Sequence, residues 1–318
     1  MTSVPPVLRL LPLCALALRP SVLFADPVDE AAPLTQVVVT ATRAPDAVAV
    51  QQLGSAVTVL SAQDLRDVPG IAVSQAGSPG SVTQLRLRGT ESNHVLVLVD
   101  GIDVSDPFFG EFDFAGLVAD DAARIEVLRG QQGALYGTDA IGGVIHYISL
   151  SGREAAGVSG RIEGGAFGTA DAALRWAGVT QAVDYAVSGG LLHRDGSPSA
   201  RSGTRRLGQD NQNLSGRLAW QADDDLQLRA VLRWTRSQAD FNQQDFNWGS
   251  PTYGQVIDTD DRSDTRRLQG LLAADWRTLP GRWTQSASLQ GLLAERESQS
   301  LGQRSGASRG SRAKGSYV

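Results

Sequence analysis

The chain has 318 residues, a formal net charge of -5 and a hydrophobic fraction of 42%. This length allows one or two domains, and the acidic balance gives no reason to expect a nucleic acid as partner. The ordinary hydrophobic fraction excludes a bundle of membrane-spanning helices, but it does not exclude strands that cross a membrane with alternating apolar and polar residues.

Residues 1–25 have the pattern of a secretory signal peptide. Arg9 precedes an apolar run that ends at Leu18, and acidic residues begin at Asp26. A buried first helix is the alternative, and the prolines of this segment argue against it. The single cysteine, Cys14, falls inside the leader, so we expect the exported chain to contain no disulfide.

An arm follows the leader, and we assign it to residues 26–54. Its first part, residues 26–34, is acidic and rich in proline and alanine, which predicts disorder. A β-branched run comes next and consists of Thr35, Gln36, Val37, Val38, Val39, Thr40 and Ala41. In a soluble fold such a run would be an edge strand.

Residues 55–150 are predicted to form a small α+β domain, because short strand-like runs alternate there with turn clusters. Asp100 and Gly101 close one of these runs with a turn pair. The predicted strands are Ala56–Leu60, Gln84–Arg88, Val95–Val99, Arg124–Leu128 and Val144–Ile148.

No catalytic motif is found. The glycine-rich stretch from Arg124 to Ser149 lacks both the lysine of a phosphate-binding loop and the spacing of a dinucleotide-binding loop. Ser188 does not lie in the GxSxG pattern of a nucleophile elbow. The three histidines, His94, His146 and His193, are far apart in the sequence and are interpreted as structural or surface groups. We therefore expect that the protein is not an enzyme.

The stretch from Arg124 to Ser149 resembles the end of the plug domain of TonB-dependent outer-membrane receptors. The matching residues of this stretch and of the two turns before it are Arg88, Gly89, Asp100, Gly101, Arg129, Gly130, Tyr136, Gly137, Gly142 and Gly143. The chain departs from the family at Gln131, where proline is common, and in a shortened segment between Arg66 and Pro69.

The resemblance implies that the run Thr35–Ala41 is the TonB box. Its partner would be the periplasmic protein TonB, to which an extended and unpaired segment can add as a strand. Val38 lies at the centre of this run.

Residues 157–297 are predicted to form part of an outer-membrane β-barrel, with about seven amphipathic strands. A soluble β-sandwich would show the same alternation, so the connections decide between the two. Tight turns are predicted at Val179–Ala182, Ala222–Asp225 and Thr278–Gly281, and long polar loops at Asp195–Asn211 and Ala239–Asp264. Residues 298–318 show no strand pattern and are predicted to be an unstructured tail.

The predicted fold is therefore mainly β: a small α+β plug domain, then the first antiparallel strands of a transmembrane β-barrel that is incomplete. The resemblance implies active uptake of a large, scarce nutrient across the outer membrane of a Gram-negative bacterium, in contact with outer-membrane lipid. Cobalamin is the first candidate ligand and a ferric siderophore the second. A truncated, non-transporting remnant is the alternative, because about seven strands cannot close a barrel.

Two sets of charged residues have more than one interpretation. Asp245, Asp258, Asp260 and Asp261 fall in one long loop and are candidate calcium ligands, with a solvated acidic loop as the alternative. No other cofactor is expected. Four arginines of the small domain would pair it with the barrel wall, or else contact ligand: Arg86, Arg88, Arg124 and Arg129.

Overall fold

The computed structural model describes residues 38–39, 48–49, 57–60, 70–75, 81–116, 122–278 and 283–317. The predicted signal peptide, most of the predicted arm and the shortened segment between Arg66 and Pro69 lie outside these residues. No helix within the described ranges is long and apolar enough to cross a membrane.

The described part of the arm consists of two very short strands. β1 (Val38–Val39) pairs antiparallel with β2 (Val48–Ala49). The backbone of Val38 and Val39 is extended, as predicted, but the expectation that it is unpaired is wrong for these two residues. The reason is that the chain supplies its own partner strand ten residues further on.

The described residues between Val57 and Ser149 form a small domain around a mixed five-stranded sheet. In chain order its strands are β3 (Val57–Leu60), β6 (Val95–Val99), β7 (Ile102–Asp103), β8 (Ala122–Arg129) and β9 (Gly143–Ser149), and their order in the sheet is β3-β8-β9-β6-β7. β6 and β9 run parallel, and the other pairs are antiparallel. A separate hairpin consists of β4 (Ile71–Gln75) and β5 (Thr83–Leu87).

Both faces of this sheet are covered, which is why β6 and β9 are buried along their whole length. One face packs with β5 and also contacts Val231 and Leu271 of the following sheet. The other face packs Leu96, Leu98 and Val144 against Ala140. Continuous apolar runs are typical of strands that are buried on both faces. For the same reason the strand predicted at Val95–Val99 has the same bounds as β6 in the structure.

Within 157–278 and 283–317, the described residues form one antiparallel sheet of eight long strands, hereafter the long-strand sheet. Each strand pairs with its neighbours along the chain. The strands are β10 (Gly157–Gly165), β11 (Thr169–Thr180), β12 (Val183–Arg194), β13 (Gln209–Gln221), β14 (Leu226–Gln244), β15 (Val256–Thr278), β16 (Trp283–Ser300) and β17 (Gln303–Tyr317).

The predicted connections are partly confirmed. The tight turns after β11 and β13 and the long connection 195–208 are present, whereas residues 279–282 lie outside the described part of the chain. The predicted loop Ala239–Asp264 is wrong over most of its length, because β14 and β15 extend to 19 and 23 residues and leave 245–255 as the connection. These extensions carry polar residues on both faces, so they lack the alternation by which a strand is recognised.

The predicted unstructured tail at 298–318 is also wrong. β16 continues to Ser300, and Gln303–Tyr317 forms β17, which pairs with β16. One face of β17 carries mostly small residues together with Arg309, and Arg312 and Lys314 on the other face contact the small domain. The sequence shows no apolar period here because this strand is bound through hydrogen bonds and ion pairs.

The face of the long-strand sheet that points away from the small domain is apolar and exposed. Large side chains on this face are accessible on every strand from β11 to β16, and they include Leu174, Val187, Leu218, Leu232, Leu272 and Leu289. Aromatic side chains border this face near the strand ends, where Trp176 packs on Tyr185 and Trp276 on Tyr317. Exposed apolar areas of this extent mark a surface that contacts lipid or protein.

Candidate functional site

Of the glycines singled out by the sequence, Gly89, Gly130, Gly142 and Gly143 lie together at one edge of the small domain. Arg88 and Gly89 both have positive φ, of 51° and 79°, and form a tight turn after β5 that the Thr90 N–H closes on Leu87 O. The Gly130 N–H donates to Gly142 O at 3.0 Å, and the Gly142 N–H donates to His94 O at 2.8 Å. Three segments that are distant in the sequence therefore meet through backbone hydrogen bonds.

The same edge continues into α1 (Gly133–Tyr136), a single helical turn. Gly137 ends it with a φ of 93°, and the Gln132 N–H donates to Ala140 O at 2.9 Å. Tyr136 packs against the apolar cluster on the second face of the sheet. The plug motif of the sequence is thus a folding element, with no arrangement suited to catalysis.

Gly143 shows most clearly why this edge needs glycine. Its φ is 149°, and a Cβ built there would lie 2.2 Å from Leu128 O and 2.7 Å from Leu87 Cδ1. The first neighbour is backbone in the paired strand β8 and cannot rotate away. Gly142 is similarly close to Thr90, whose Oγ1 would lie 2.3 Å from an added Cβ.

We expect Gly143→Ala to destabilise the small domain by about 3 kcal/mol or more, because the methyl group must displace backbone. The matched control is Gly89→Ala, at a position with positive φ but open space. That change carries backbone strain alone, worth about 1–2 kcal/mol. Denaturant unfolding of the purified variants measures both, and equal costs for the two would contradict the steric account.

The Asp100–Gly101 turn joins β6 to β7 and fixes the end of the domain. Both residues have positive φ, as a two-residue hairpin requires. Asp100 Oδ1 accepts hydrogen bonds from the Ser149 N–H at 2.9 Å and from Ser149 Oγ at 3.0 Å. The Gly101 N–H donates to His146 Nε2 at 3.0 Å, which gives this buried histidine a structural contact.

Two buried carboxylates attach the small domain to the long-strand sheet. Asp103 is 3% exposed, and its side chain contacts Arg312 Nη2 at 2.9 Å and Lys314 Nζ at 2.5 Å. The Asp103 N–H also donates to Gln290 Oε1 at 2.8 Å. One residue at the end of β7 is thus held by both β16 and β17.

Asp106 is the second of these carboxylates and is 4% exposed. Its Oδ2 atom lies 2.9 Å from Arg296 Nη2 and 3.4 Å from Arg267 Nη2. Its Oδ1 atom accepts from the N–H groups of Phe108 and Phe109, at 2.8 and 3.2 Å. The Asp106 carboxylate therefore fixes the backbone of the loop that follows it and also contacts β15 and β16.

Further polar contacts extend this interface along the sheet. Gln209 and Asn211 both donate to Ala115 O, at 2.9 and 3.0 Å, and Arg217 donates to Ser149 O at 2.8 Å. The interface therefore combines a small apolar contact, at Val231 and Leu271, with many hydrogen bonds and ion pairs.

The expectation that arginines of the small domain pair it with the sheet is wrong for Arg86 and Arg124. Arg124 Nε lies 2.9 Å from Glu126, and Arg86 donates to Gln84 at 3.4 Å, both within the small domain. Arg88 and Arg129 flank glycines of the edge described above. In the ion pairs of Asp103 and Asp106 the charges are the reverse of those expected, because the small domain supplies the carboxylates and the sheet supplies the cations.

The four candidate calcium ligands are not gathered into one site. Asp245 accepts from the Asn247 N–H and from Thr252 Oγ1, at 2.8 and 2.6 Å, whereas Asp261 accepts from Thr259 Oγ1 and from the Leu301 N–H. Asp258 and Asp260 contact the connection 195–208. Within the described ranges, no group of three or more His, Cys, Asp or Glu side chains is placed to hold a metal ion. Calcium binding stays a prediction that this side-chain geometry does not support.

The connection 245–255 owes its shape to Asp245. Hydrogen bonds from Ser250, Thr252 and the Asn247 N–H lower the pKa of Asp245 below its ordinary value. Because the folded-state pKa is lowered, the stabilisation is present above the ordinary pKa of about 3.9 and is lost as the pH falls through the lowered value.

We therefore expect the connection 245–255 to loosen in acid below about pH 4. Trp248, which is 85% exposed and packs edge-on against Tyr253, reports on it. The difference in fluorescence between the protein and its Trp248→Phe variant should change at acid pH and stay constant from pH 5 to 8. A transition of this difference signal near neutral pH would contradict the assignment.

Comparison with known proteins gives consistent results. Residues 39–144 match the family described as the TonB-dependent Receptor Plug Domain. The chain is 30% identical over 223 residues to the vitamin B12 transporter BtuB of Vibrio vulnificus, which covers 68% of this chain and 36% of that protein. It is 41% identical over 88 residues to BtuB of Photobacterium profundum, covering 28% and 14% of the two chains.

Solved structures share the fold at lower identity. A ferric enterobactin receptor, PfeA of Pseudomonas aeruginosa, is 21% identical, with a TM-score of 0.58 over 82% of this chain and 46% of that one. The FrpB iron transporter of Neisseria meningitidis is 16% identical, with a TM-score of 0.59 over 77% and 42%. The chain thus spans less than half the length of these relatives. All four are named as transporters or receptors.

Proposed function

We propose, because the chain belongs to the TonB-dependent receptor family, that it acts in the capture of a large, scarce nutrient and in its uptake across the outer membrane of a Gram-negative bacterium. The small domain is then the plug and the long-strand sheet a part of the wall. Uptake is driven by TonB, which pulls on the segment around Val38 and Val39.

The observation that carries this proposal is the contrast between the two faces of the long-strand sheet. One face binds the small domain through Asp103 and Asp106, and the other presents large exposed apolar side chains. A sheet with a polar inner face, an apolar outer face and aromatic residues near the strand ends fits the wall of an outer-membrane protein.

The attachment through ion pairs also fits a domain that rearranges. Moving an apolar interface exposes hydrocarbon to water, whereas carboxylate and guanidinium groups regain hydration when they separate. Asp103 and Asp106 each bind two cations of the sheet, so these two carboxylates contribute four ion pairs to the attachment. Pulling from the arm would break them stepwise while the polar inner face becomes hydrated.

Cobalamin is the ligand that we propose first. Support comes from the two curated relatives described above, both named as vitamin B12 transporters, the longer match covering 68% of the chain. The structural likeness to ferric enterobactin receptors is below 25% in identity and bears on the fold alone.

Binding at the cell surface tests the ligand. Cells of a host without its own cobalamin and siderophore receptors, expressing the full gene, should retain labelled cobalamin against a wash and should not retain a labelled ferric siderophore. Retention of the ferric siderophore but not of cobalamin would replace our first candidate by the second. Retention of neither would contradict the proposed role in capture.

A further inference from the structure

Arg205, in the connection 195–208, is surrounded by oxygen atoms from the extended ends of β14 and β15. Its Nη1 atom donates to Phe241 O at 3.0 Å and also to Thr259 O. Its Nη2 atom donates to Asp261 O at 3.2 Å and to Asp260 Oδ1 at 3.1 Å, with Asp240 Oδ1 at 3.7 Å. Five oxygens, three of them backbone carbonyls, thus face one guanidinium group.

The backbone at Thr204 and Arg205 is also bound to β15. The Thr204 and Arg205 N–H groups donate to Asp258 Oδ2 at 2.7 and 3.0 Å. Gly203 lies so close to this carboxylate that an added Cβ would be 2.2 Å from Asp258 Oδ1. The connection therefore lies tightly against β15 from Gly203 to Arg205.

The Arg205 guanidinium offsets part of the acidic charge of this region, and Arg262 Nε lies 2.8 Å from Asp240 Oδ1. Asp240, Asp258, Asp260 and Asp261 lie within one stretch of paired strand, where like charges repel one another. A cation among them reduces this repulsion. A guanidinium has five N–H donors in a fixed plane and can satisfy several oxygens at once.

We propose that Arg205 is a built-in cation that orders the connection 195–208 against the extended β14–β15 hairpin, and that this order needs no divalent metal ion. Arg205 acts as a positioning residue. It holds the Thr204 and Arg205 N–H groups at Asp258 by occupying the space between the strand ends. This inference concerns the order of the connection and does not rest on the identity of the ligand.

Arg206 provides a matched control. It is the next residue, it carries the same charge, and its side chain is 66% exposed, with Asp195 at 3.7 Å as its ion pair. A general effect of removing one positive charge from this connection would therefore appear in both variants. An effect of the five oxygens that surround the Arg205 guanidinium would appear in the Arg205 variant alone.

Hydrogen exchange of the full chain, followed by mass spectrometry, tests the proposal. In Arg205→Ala the peptides that cover 203–208 should exchange about tenfold faster or more, since several hydrogen bonds to a charged group are lost, while Arg206→Ala should match the parent protein. Peptides that cover β6 should stay protected in both variants and so report that the fold is intact.

A second arm needs no variant. The parent protein should show the same exchange at 203–208 in EDTA as in millimolar calcium. Unchanged exchange in Arg205→Ala, or faster exchange of the parent protein in EDTA, would overturn the proposal.

Discussion

Replacing Asp106 by Asn is expected to destabilise the attachment of the small domain to the long-strand sheet by about 3 kcal/mol, the lower end of the cost of breaking a buried ion pair. Asn keeps the size of the side chain and can still accept from the Phe108 N–H. It removes the charge that faces Arg267 and Arg296, of which Arg267 is the more buried. A buried guanidinium that has lost its carboxylate has neither water nor an ion-pair partner to stabilise its charge.

Hydrogen exchange of the peptide that covers Ile102–Asp106 measures this effect, because the segment joins the two bonded carboxylates. Asp139→Asn is the control: this carboxylate is half-exposed and lies 3.6 Å from Lys314, a surface pair worth at most about 1 kcal/mol. Equal exchange in the two variants would show that the buried pair does not hold the domain.

The second large effect is expected at Val38. Val38→Pro removes a backbone donor from the segment that we propose as the TonB box, and it should abolish TonB-driven uptake while the ligand still binds at the cell surface. Val38 already pairs with Ala49 in a ladder of two residues. Strand addition by a partner must replace this short ladder, which a longer run of main-chain hydrogen bonds can do.

Val38→Ala separates the backbone from the side chain. Val38→Ala keeps the N–H group and loses the β-branched side chain. If main-chain hydrogen bonds transmit the pulling force, uptake should remain within a few-fold of the parent protein. Initial rates of labelled ligand uptake, alongside binding to the same cells, distinguish the two variants. Normal uptake in Val38→Pro would refute the assignment of this segment.

Much of the fold could be predicted where one physical signal dominates. Val95–Val99 is a continuous apolar run closed by Asp100 and Gly101, and the sequence predicts both its bounds and its turn correctly. The strands of the long-strand sheet around Trp220 and Trp234 alternate because one face is exposed and apolar while the other meets the small domain. Periodicity identifies such strands reliably.

The rest depends on partners that are far apart in the sequence. Asp106 pairs with Arg267 and Arg296 across 161 and 190 residues, and neither loop nor strand carries a local sign of this pairing. The acidic residues near Asp258 suggested calcium because Arg205, more than 50 residues away, was not recognisable as their cation. Strand β17 was missed because polar contacts, rather than an apolar period, hold it in place.

Uptake of labelled cobalamin by paired host strains, one with and one without a functional TonB, tests the central claim most directly. Both strains should lack their own cobalamin receptor and carry the full gene. We predict accumulation well above surface binding in the strain with TonB, and surface binding alone in the strain without it. Equal accumulation in the two strains, or none in either, would contradict the account.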